Sequence, residues 1–248
     1  MEIKRDTGLF KQFLRNYWEY YRELEKDFLS IRKYVSICED NSNTYSIEIL
    51  KLYQAVCSEI DVLGKAMAQL INPLFKPENT KNNIYKWWYE IQDYYMLTEA
   101  PYTFINPNPN PLRIGLREYR CRLLDLLDFQ PWIGFSVEIR RGKKKNYYAP
   151  VTESKTPGWW TDYNKVKHTR TLLTSEKGEK TNYSKANLGN LCNAFAALYI
   201  LEKAVIDTIG TEDDLTRFLD HSVLFIRESR YTNTEAAAIF EARFGEMN

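Results

Sequence analysis

The chain has 248 residues, of which 44% are hydrophobic and 15% are aromatic, enough apolar material for a large folded domain. Lysine and arginine total 34 against 33 aspartate and glutamate, so the formal charge of +1 gives no global signature of a nucleic-acid-binding protein. With only 10 glycines and 9 prolines, the composition argues against long low-complexity linkers and favours helices.

The termini and the most apolar stretch give no sign of export or membrane insertion. The first six residues lack the apolar core of a signal peptide, and the apolar stretch near 194–206 is interrupted by Glu202 and Lys203. We therefore expect a cytoplasmic protein that does not enter a membrane.

The sequence carries no signature of a bound metal or nucleotide. The four cysteines are widely scattered, without a Cys-x-x-Cys pair or a neighbouring histidine, so buried reduced thiols are expected at Cys38, Cys57, Cys121 and Cys192. A Gly-rich phosphate loop, a nucleophile elbow and a His-Glu-x-x-His sequence are all missing. No cofactor and no metal are expected.

Two long amphipathic helices are predicted in the first third of the chain. Apolar residues recur every three or four positions from about 8 to 39 and again from about 45 to 71. Thr44 or Ser46 is suited to cap the second helix, which should pack antiparallel to the first. Glu59 lies among the apolar positions of this helix, either on a solvated flank or as the partner of a cation elsewhere.

Residues 73–156 change character and are predicted to form an insertion. An aromatic helix around 83–97 precedes an extended Asn-Pro loop at 106–111. Strand-like alternation follows, with a basic hairpin turn at 140–145 that is more typical of a solvated turn than of a phosphate site. The strands are expected at 102–105, 112–116, 135–140 and 147–151, and residues 118–127 fit helix and strand equally well.

Helical periodicity resumes at Pro157 and continues into a fourth helix. A polar stretch at 174–182 should end the third helix, and Ser184 is expected to cap the fourth, which should stop at Gly210. The tail, 211–248, predicts a short helix at 212–219, a strand at 222–226 and a last helix at 234–244. The apolar residues of the strand are expected in the core, with a subunit contact as the alternative. His221 is expected to have a structural role, with a position beside His168 in the fold as the alternative.

The third predicted helix gathers the polar groups that could do chemistry. Asn164 and His168 are four residues apart and share one face, while Lys167 and Arg170 lie on an adjacent face. Trp160, Tyr163 and Val166 supply apolar anchoring. Cations next to an imidazole are suited to hold a phosphodiester while the imidazole exchanges a proton with a ribose hydroxyl or a leaving oxygen.

The segment Tyr163-Asn164-Lys165-Val166-Lys167-His168 resembles the signature of the HEPN superfamily, in which an arginine, usually followed by a polar residue, precedes a histidine by four to six positions. The four helices and their spacing, over 8–72 and 157–209, also resemble bacterial members of that superfamily. Asn164 and His168 match the signature, but Tyr163 occupies the position of the expected arginine and cannot supply a guanidinium.

The resemblance implies a mainly α fold, in which residues 1–72 and 157–210 form an antiparallel four-helix bundle. Residues 73–156 would be inserted into this bundle as an aromatic helix and a small β element. Residues 211–248 would form a short extension. It further implies a homodimer and, in many members, a metal-independent ribonuclease in defence or stress systems. Transferred here, RNA is the expected partner, with His168 as acid/base and Asn164, Lys167, Arg170 and Tyr163 in contact with the substrate. Glu59 would orient a cation.

A noncatalytic interaction module is the alternative. In that interpretation the aromatic insertion at 84–95 and the third helix form a surface for a protein or ligand partner, and the tyrosine at position 163 needs no catalytic explanation. The sequence leaves open whether the protein is an enzyme.

Overall fold

The computed structural model describes residues 3–79, 82–99, 112–124, 127–143, 145–174, 180–218 and 222–227. The fold is mainly α, as predicted, with small antiparallel sheets. The strand expected at 102–105, the Asn-Pro loop, His221 and the helix expected at 234–244 lie outside the described residues.

The first predicted helix is divided and shorter than expected. Helix α1 (Thr7–Phe13) passes through a π-helical segment (Leu14–Trp18) into helix α2 (Glu19–Ile31). The prediction that the helix reaches residue 39 is wrong. The backbone tightens after Ile31, where the amides of Lys33 and Tyr34 bond to the carbonyls of Ser30 and Ile31.

Helix α3 (Ile47–Ile71) begins where the sequence indicated, because the Ser46 hydroxyl accepts a hydrogen bond from the Ile49 amide at 3.2 Å. Helix α4 (Ile84–Ile91) is the aromatic helix of the insertion, but it ends well before the predicted residue 97. The chain there leaves the helix to form a strand.

Helix α5 (Gly158–Thr169) follows directly after Pro157, and helix α6 (Leu188–Ile209) ends before Gly210 as predicted. The expected cap of α6 at Ser184 is wrong, since Ser184 lies in a 3-10 turn (Asn182–Lys185). The cap is Asn187, whose side-chain oxygen accepts from the Asn190 amide at 2.9 Å. A shorter helix, α7 (Glu212–Arg217), follows in the tail.

Short strands make three separate sheets in the described residues. They are β1 (Met96–Glu99), β2 (Leu112–Gly115), β3 (Cys121–Leu123), β4 (Leu127–Phe129), β5 (Val137–Arg140), β6 (Tyr147–Pro150) and β7 (Phe225–Arg227). The pairs β1–β2 and β5–β6 are antiparallel, the second being the predicted basic hairpin. The third sheet has the order β4-β3-β7, so a strand of the tail pairs with a strand of the insertion.

Helices α3 and α6 form the central packed pair. Helix α2 packs on α3, α1 packs on α6, and α5 contacts both α3 and α6. One continuous hydrophobic cluster includes side chains from the helices, the insertion and β7. None of the described helices is both long and apolar enough to cross a membrane.

Helix α5 packs against the insertion through five buried tryptophans, Trp87, Trp88, Trp132, Trp159 and Trp160. The rings of Trp88 and Trp132 stack with centroids 4.3 Å apart, and Trp132 meets Trp159 edge to face at 5.2 Å. The indole N–H groups of Trp132 and Trp159 donate to the carbonyls of Ala197 and Pro131. Packing and hydrogen bonds therefore fix the position of α5.

The tail is held by a buried carboxylate. Glu25 on α2 is completely buried and accepts hydrogen bonds from the Tyr21 hydroxyl, the Ser222 hydroxyl and the amides of Val223 and Leu224. It also pairs with Arg22. This network positions the segment that leads into β7.

The four cysteines are free thiols, as expected, and all but Cys38 are buried. Leu224 and Phe225 are buried and Val223 is half-exposed, which agrees with the expected core strand in the tail.

Candidate functional site

Helix α5 separates the predicted site residues into two groups. Trp159, Trp160, Tyr163 and Val166 are buried, whereas Lys165, Lys167, His168 and Arg170 are exposed. The periodicity that anchors the helix thus also presents an exposed set of three cations and an imidazole, which we call the α5 face.

Tyr163 belongs to the anchoring side. Its ring lies 5.3 Å from the Trp160 ring and 6.1 Å from the Tyr53 ring, between centroids. Burial raises the pKa of its phenol to about 12, so the phenol stays protonated at neutral pH. Only 6% of the residue is exposed, which leaves little surface for substrate contact.

Tyr163 does position one of the cations. The Lys167 ammonium lies above its ring, 5.5 Å from the ring centroid. A cation over an aromatic face is attracted by about 0.5–1 kcal/mol at an exposed site. Tyr163 therefore supports the cationic side chain of Lys167 instead of replacing an arginine.

Asn164 and His168 lie on one side of α5, as predicted, but they do not contact each other through a hydrogen bond. The Asn164 amide donates to the Trp160 carbonyl one turn earlier, at 3.1 Å. His168 is exposed and makes neither a hydrogen bond nor an ion pair with any described residue. Its imidazole is accessible, and no carboxylate of the described chain fixes its tautomer.

The carboxylate of Asp162 neutralises part of the positive charge near His168. Its carboxylate pairs with Lys185 at 2.9 Å and with Lys165 at 3.3 Å, and it accepts from Asn190 at 3.3 Å. Burial raises the pKa of Asp162, but these partners together outweigh burial and hold it below its ordinary value. Lys167 and Arg170 make no ion pair with a described residue, so they are the cations left for an anionic ligand.

Two tyrosines that the sequence analysis missed lie beside the end of α5. Tyr183 donates its amide to the Arg170 carbonyl at 3.1 Å, and its ring meets that of Tyr45 edge to face at 5.3 Å. Tyr45 is 41% exposed. The two tyrosines are far apart in sequence and are brought together by long-range backbone contacts, including the bridge between Tyr45 and Asn187, so no local pattern could have identified the pair.

Glu59 is not brought to the α5 face. Tyr53 and Cys57 on α3 lie towards α5. The Tyr53 ring contacts the ring of Tyr163. Burial raises the pKa of the Cys57 thiol, and the charge of Lys167 lowers it by less. Glu59 follows Cys57 by two residues and therefore lies about 200° further around the helix. Burial raises the pKa of three groups on other elements, Tyr17, Tyr20 and Glu202, and the charge of Glu59 raises each of them further. Burial raises the pKa of Glu59 to about 7.

The basic hairpin and a cavity at the start of α6 are two further candidate features. The basic hairpin exposes Arg141, Lys143 and Lys145, whereas Arg140 pairs with Glu138 at 2.8 Å. A cavity of about 400 Å³ opens at the start of α6, and burial raises the pKa of Cys192 in its wall to about 12, so this thiol is no nucleophile at neutral pH. The described residues contain no group of three or more His, Cys, Asp or Glu side chains placed to hold a metal.

Comparisons with protein-family models, with curated proteins and with solved structures find no match to this chain.

Proposed function

We propose that the chain is a cytoplasmic, HEPN-like RNA-associated protein that binds RNA through the α5 face and cleaves it without a metal, with His168 as acid/base. The observation that carries the proposal is the exposed imidazole of His168 on the same helical segment as Lys167 and Arg170, two exposed cations that make no ion pair with a described residue. The helix that carries them is held by buried tryptophans, so the groups are presented by a rigid element.

The proposed chemistry needs only a proton transfer and a held phosphate. His168 removes the proton of a ribose 2′-hydroxyl, whose oxygen attacks the adjacent phosphorus, and the 5′-oxygen leaves with a proton. Lys167 and Arg170 stabilise the negative charge on the non-bridging oxygens. In a homodimer, the second copy's imidazole is available to protonate the leaving oxygen while the first acts as base.

The exposed aromatic ring of Tyr45 adds a second element of RNA binding. Bases stack on aromatic side chains with about 1–3 kcal/mol per base, without strong sequence preference. Because Tyr183 joins the Tyr45 ring to the end of α5, a base stacked on that ring would lie near the end of the helix that carries Arg170. Single-stranded RNA is therefore the expected substrate.

A noncatalytic interaction module remains the second candidate, and two observations favour it. Tyr163 is buried at the position where the signature has an arginine, and no described carboxylate orients His168. A protein that only binds RNA, or that binds a protein partner through this helix, would need neither group.

Binding and cleavage can be separated by experiment. We expect fluorescently labelled single-stranded RNA to bind and to be cut in excess EDTA, and His168→Ala to bind normally while losing cleavage. Cleavage unchanged in His168→Ala would refute the catalytic role. Binding without cleavage by the wild-type chain would instead establish the noncatalytic alternative.

The location of binding is tested by two variants with the same change of charge. Lys167→Ala with Arg170→Ala should weaken binding, and loss of two phosphate contacts should reduce the slope of log K against log salt concentration by about 1.4. The control, Lys143→Ala with Lys145→Ala, removes two exposed cations from the basic hairpin and should leave binding unchanged. If the hairpin variant loses binding and the α5 variant does not, the α5 face is the wrong site.

A further inference from the structure

The cavity at the start of α6, which we call the α6 cavity, lies between three separate parts of the chain. Residues of the segment 37–42, of strand β4 and of the first turns of α6 line its volume of about 400 Å³. Small-molecule sites usually have volumes of about 300–1,000 Å³. The α6 cavity is separate from the α5 face, because Asn190, which bonds to Asp162 on α5, is not among the residues that line it.

One part of the cavity wall is apolar. Ile37 and Leu188 are buried, and Leu127 and Phe129 are partly buried and pack against the hydrophobic core. These four side chains come from all three parts of the wall. Covering them would remove apolar surface from water, so the wall favours a ligand with an apolar body.

Strand β4 borders the cavity along its edge. Successive side chains of a strand point to opposite faces, so a cavity that touches the three successive residues 127–129 must run beside the strand and not over one face. The order β4-β3-β7 leaves this edge without a strand partner in the described part of the chain. An unpaired strand edge presents backbone carbonyl groups that accept hydrogen bonds.

The polar side chains of the wall are mostly hydrogen-bond acceptors. No described lysine, arginine or histidine lines the cavity. Of its two acids, Asp128 pairs with Arg122 at 2.8 Å, whereas the side chain of Glu39 makes neither a hydrogen bond nor an ion pair with a described residue. The Ser42 hydroxyl has no such partner either. The Asn193 amide donates to a carbonyl of its own helix at 2.9 Å, which leaves its side-chain oxygen as an acceptor.

We propose that the α6 cavity binds a small organic cation that carries a planar amidinium or guanidinium group on an apolar body. The apolar body lies against Ile37, Phe129 and Leu188, and the planar group donates two parallel hydrogen bonds to the Glu39 carboxylate. An anion would find no base in the wall. A metal ion is the poorer occupant, because the described residues contain no group of three or more ligands placed to hold one.

Three probes of nearly the same shape test whether the cavity distinguishes charge. Benzamidine is cationic, benzamide is neutral and benzoate is anionic. Isothermal titration calorimetry on the full chain should show saturable binding of benzamidine, binding of benzamide weaker by about tenfold or more, and no binding of benzoate. Methylguanidinium, which keeps the planar cation but lacks the apolar body, should also bind about tenfold more weakly than benzamidine.

Two variants test whether Glu39 holds the cation. Glu39→Gln removes the charge but keeps the length of the side chain, and it should weaken benzamidine binding by about tenfold or more. Asp40→Asn is the matched control. It neutralises an exposed acid in the same 3-10 turn that does not line the cavity, so it should bind as the wild type does.

A cysteine in the wall reports where the probe binds. Cys38 lines the cavity and is partly exposed, whereas Cys57 and Cys121 are buried elsewhere. Saturating benzamidine should slow the alkylation of Cys38 by N-ethylmaleimide, measured by mass spectrometry of its peptide. Benzoate at the same concentration should leave the rate unchanged.

Four results would overturn the proposal. The first is the absence of saturable benzamidine binding. The second is binding of benzamide or benzoate that equals that of benzamidine, since the cavity would then not distinguish charge. The third is an equal loss of affinity in Glu39→Gln and Asp40→Asn. The fourth is alkylation of Cys38 that saturating benzamidine does not slow, which would place the bound probe outside the cavity.

Discussion

Replacement of Gly64 by alanine should destabilise the fold through one defined clash. Gly64 lies on α3 beneath Trp87, and a Cβ atom at this position would meet three carbon atoms of the indole at 2.6, 2.7 and 2.8 Å. The indole has no room to withdraw. Its ring contacts those of Trp88, Trp132 and Trp160, and its N–H donates to Asp61 at 3.1 Å.

The size of the effect follows from two opposing terms. Alanine is favoured over glycine inside a helix by about 1 kcal/mol, whereas overpacking of a well-packed core costs about 1–3 kcal/mol. Because the ring is held on several sides, the cost should lie near the upper end, and Gly64→Ala should lose about 1–2 kcal/mol of unfolding free energy. Gly158→Ala is the control, since no atom lies within 4 Å of its Cβ position and a gain of about 0.5 kcal/mol is expected.

Urea denaturation followed by circular dichroism measures both variants. The reasoning is refuted if Gly64→Ala is as stable as the wild type, because the tryptophan cluster would then not press against α3 as the structure shows. An equal loss in Gly158→Ala would also refute it, since that variant meets no clash.

Three further predictions concern the site, the pH dependence and the tail. Tyr163→Arg, which introduces an arginine at the position where the HEPN signature has one, should lose about 2–4 kcal/mol of stability and gain no ribonuclease activity, because it places an unpaired cation in the core next to Lys167. Glu59 holds a proton more tightly in the folded chain than in the unfolded one, so stability should fall by about 1–2 kcal/mol, discounted for its partial exposure, as pH rises from 4.5 to about 7. Urea denaturation should show this fall in the wild type and not in Glu59→Gln. Glu25→Ala leaves the Val223 amide without its acceptor and the Leu224 amide with the Ser222 hydroxyl alone, so hydrogen exchange at 223–227 should accelerate by about tenfold or more.

Each of these predictions has an outcome that contradicts it. A Tyr163→Arg variant that is stable and newly active would show that the ring is not part of the core. A wild-type chain whose stability is flat between pH 4.5 and 7 would exclude the raised pKa of Glu59. Exchange that accelerates throughout α2 after Glu25→Ala, and not only in the tail, would show that Glu25 supports the whole helix.

The helices could be predicted because their signals are local. The apolar spacing of α3 and the hydroxyl of Ser46 lie within a few residues of the structure they determine. Ser184 had the right chemistry for a cap, but the 3-10 turn placed Asn187 at the start of α6 instead. The pairing of β3 with β7 joins residues about a hundred positions apart, and no local pattern indicates it.

The site shows the same division between local and distant information. The spacing of Trp160, Tyr163 and Val166 predicted one apolar face, and the structure buries all three. Tyr163 was nevertheless assigned to substrate contact because its position in the HEPN-like motif outweighed its periodicity. Glu59 was assigned to the site although the sequence does not show which neighbouring helix its side of α3 faces. That depends on how α2, α5 and α6 pack around α3.

The arrangement around α3 suggests why the exposed groups of α5 are compatible with a stable fold. Cations and a free imidazole add no stability by themselves, so the helix that carries them must be stabilised by the packing of its buried residues. Trp132 supplies a physical link, because its indole donates to α6 while its ring contacts Trp159 on α5 and Trp88 in the insertion. The inserted segment therefore completes the core on which α5 rests, and the chemistry of the exposed face depends on residues that never reach the surface.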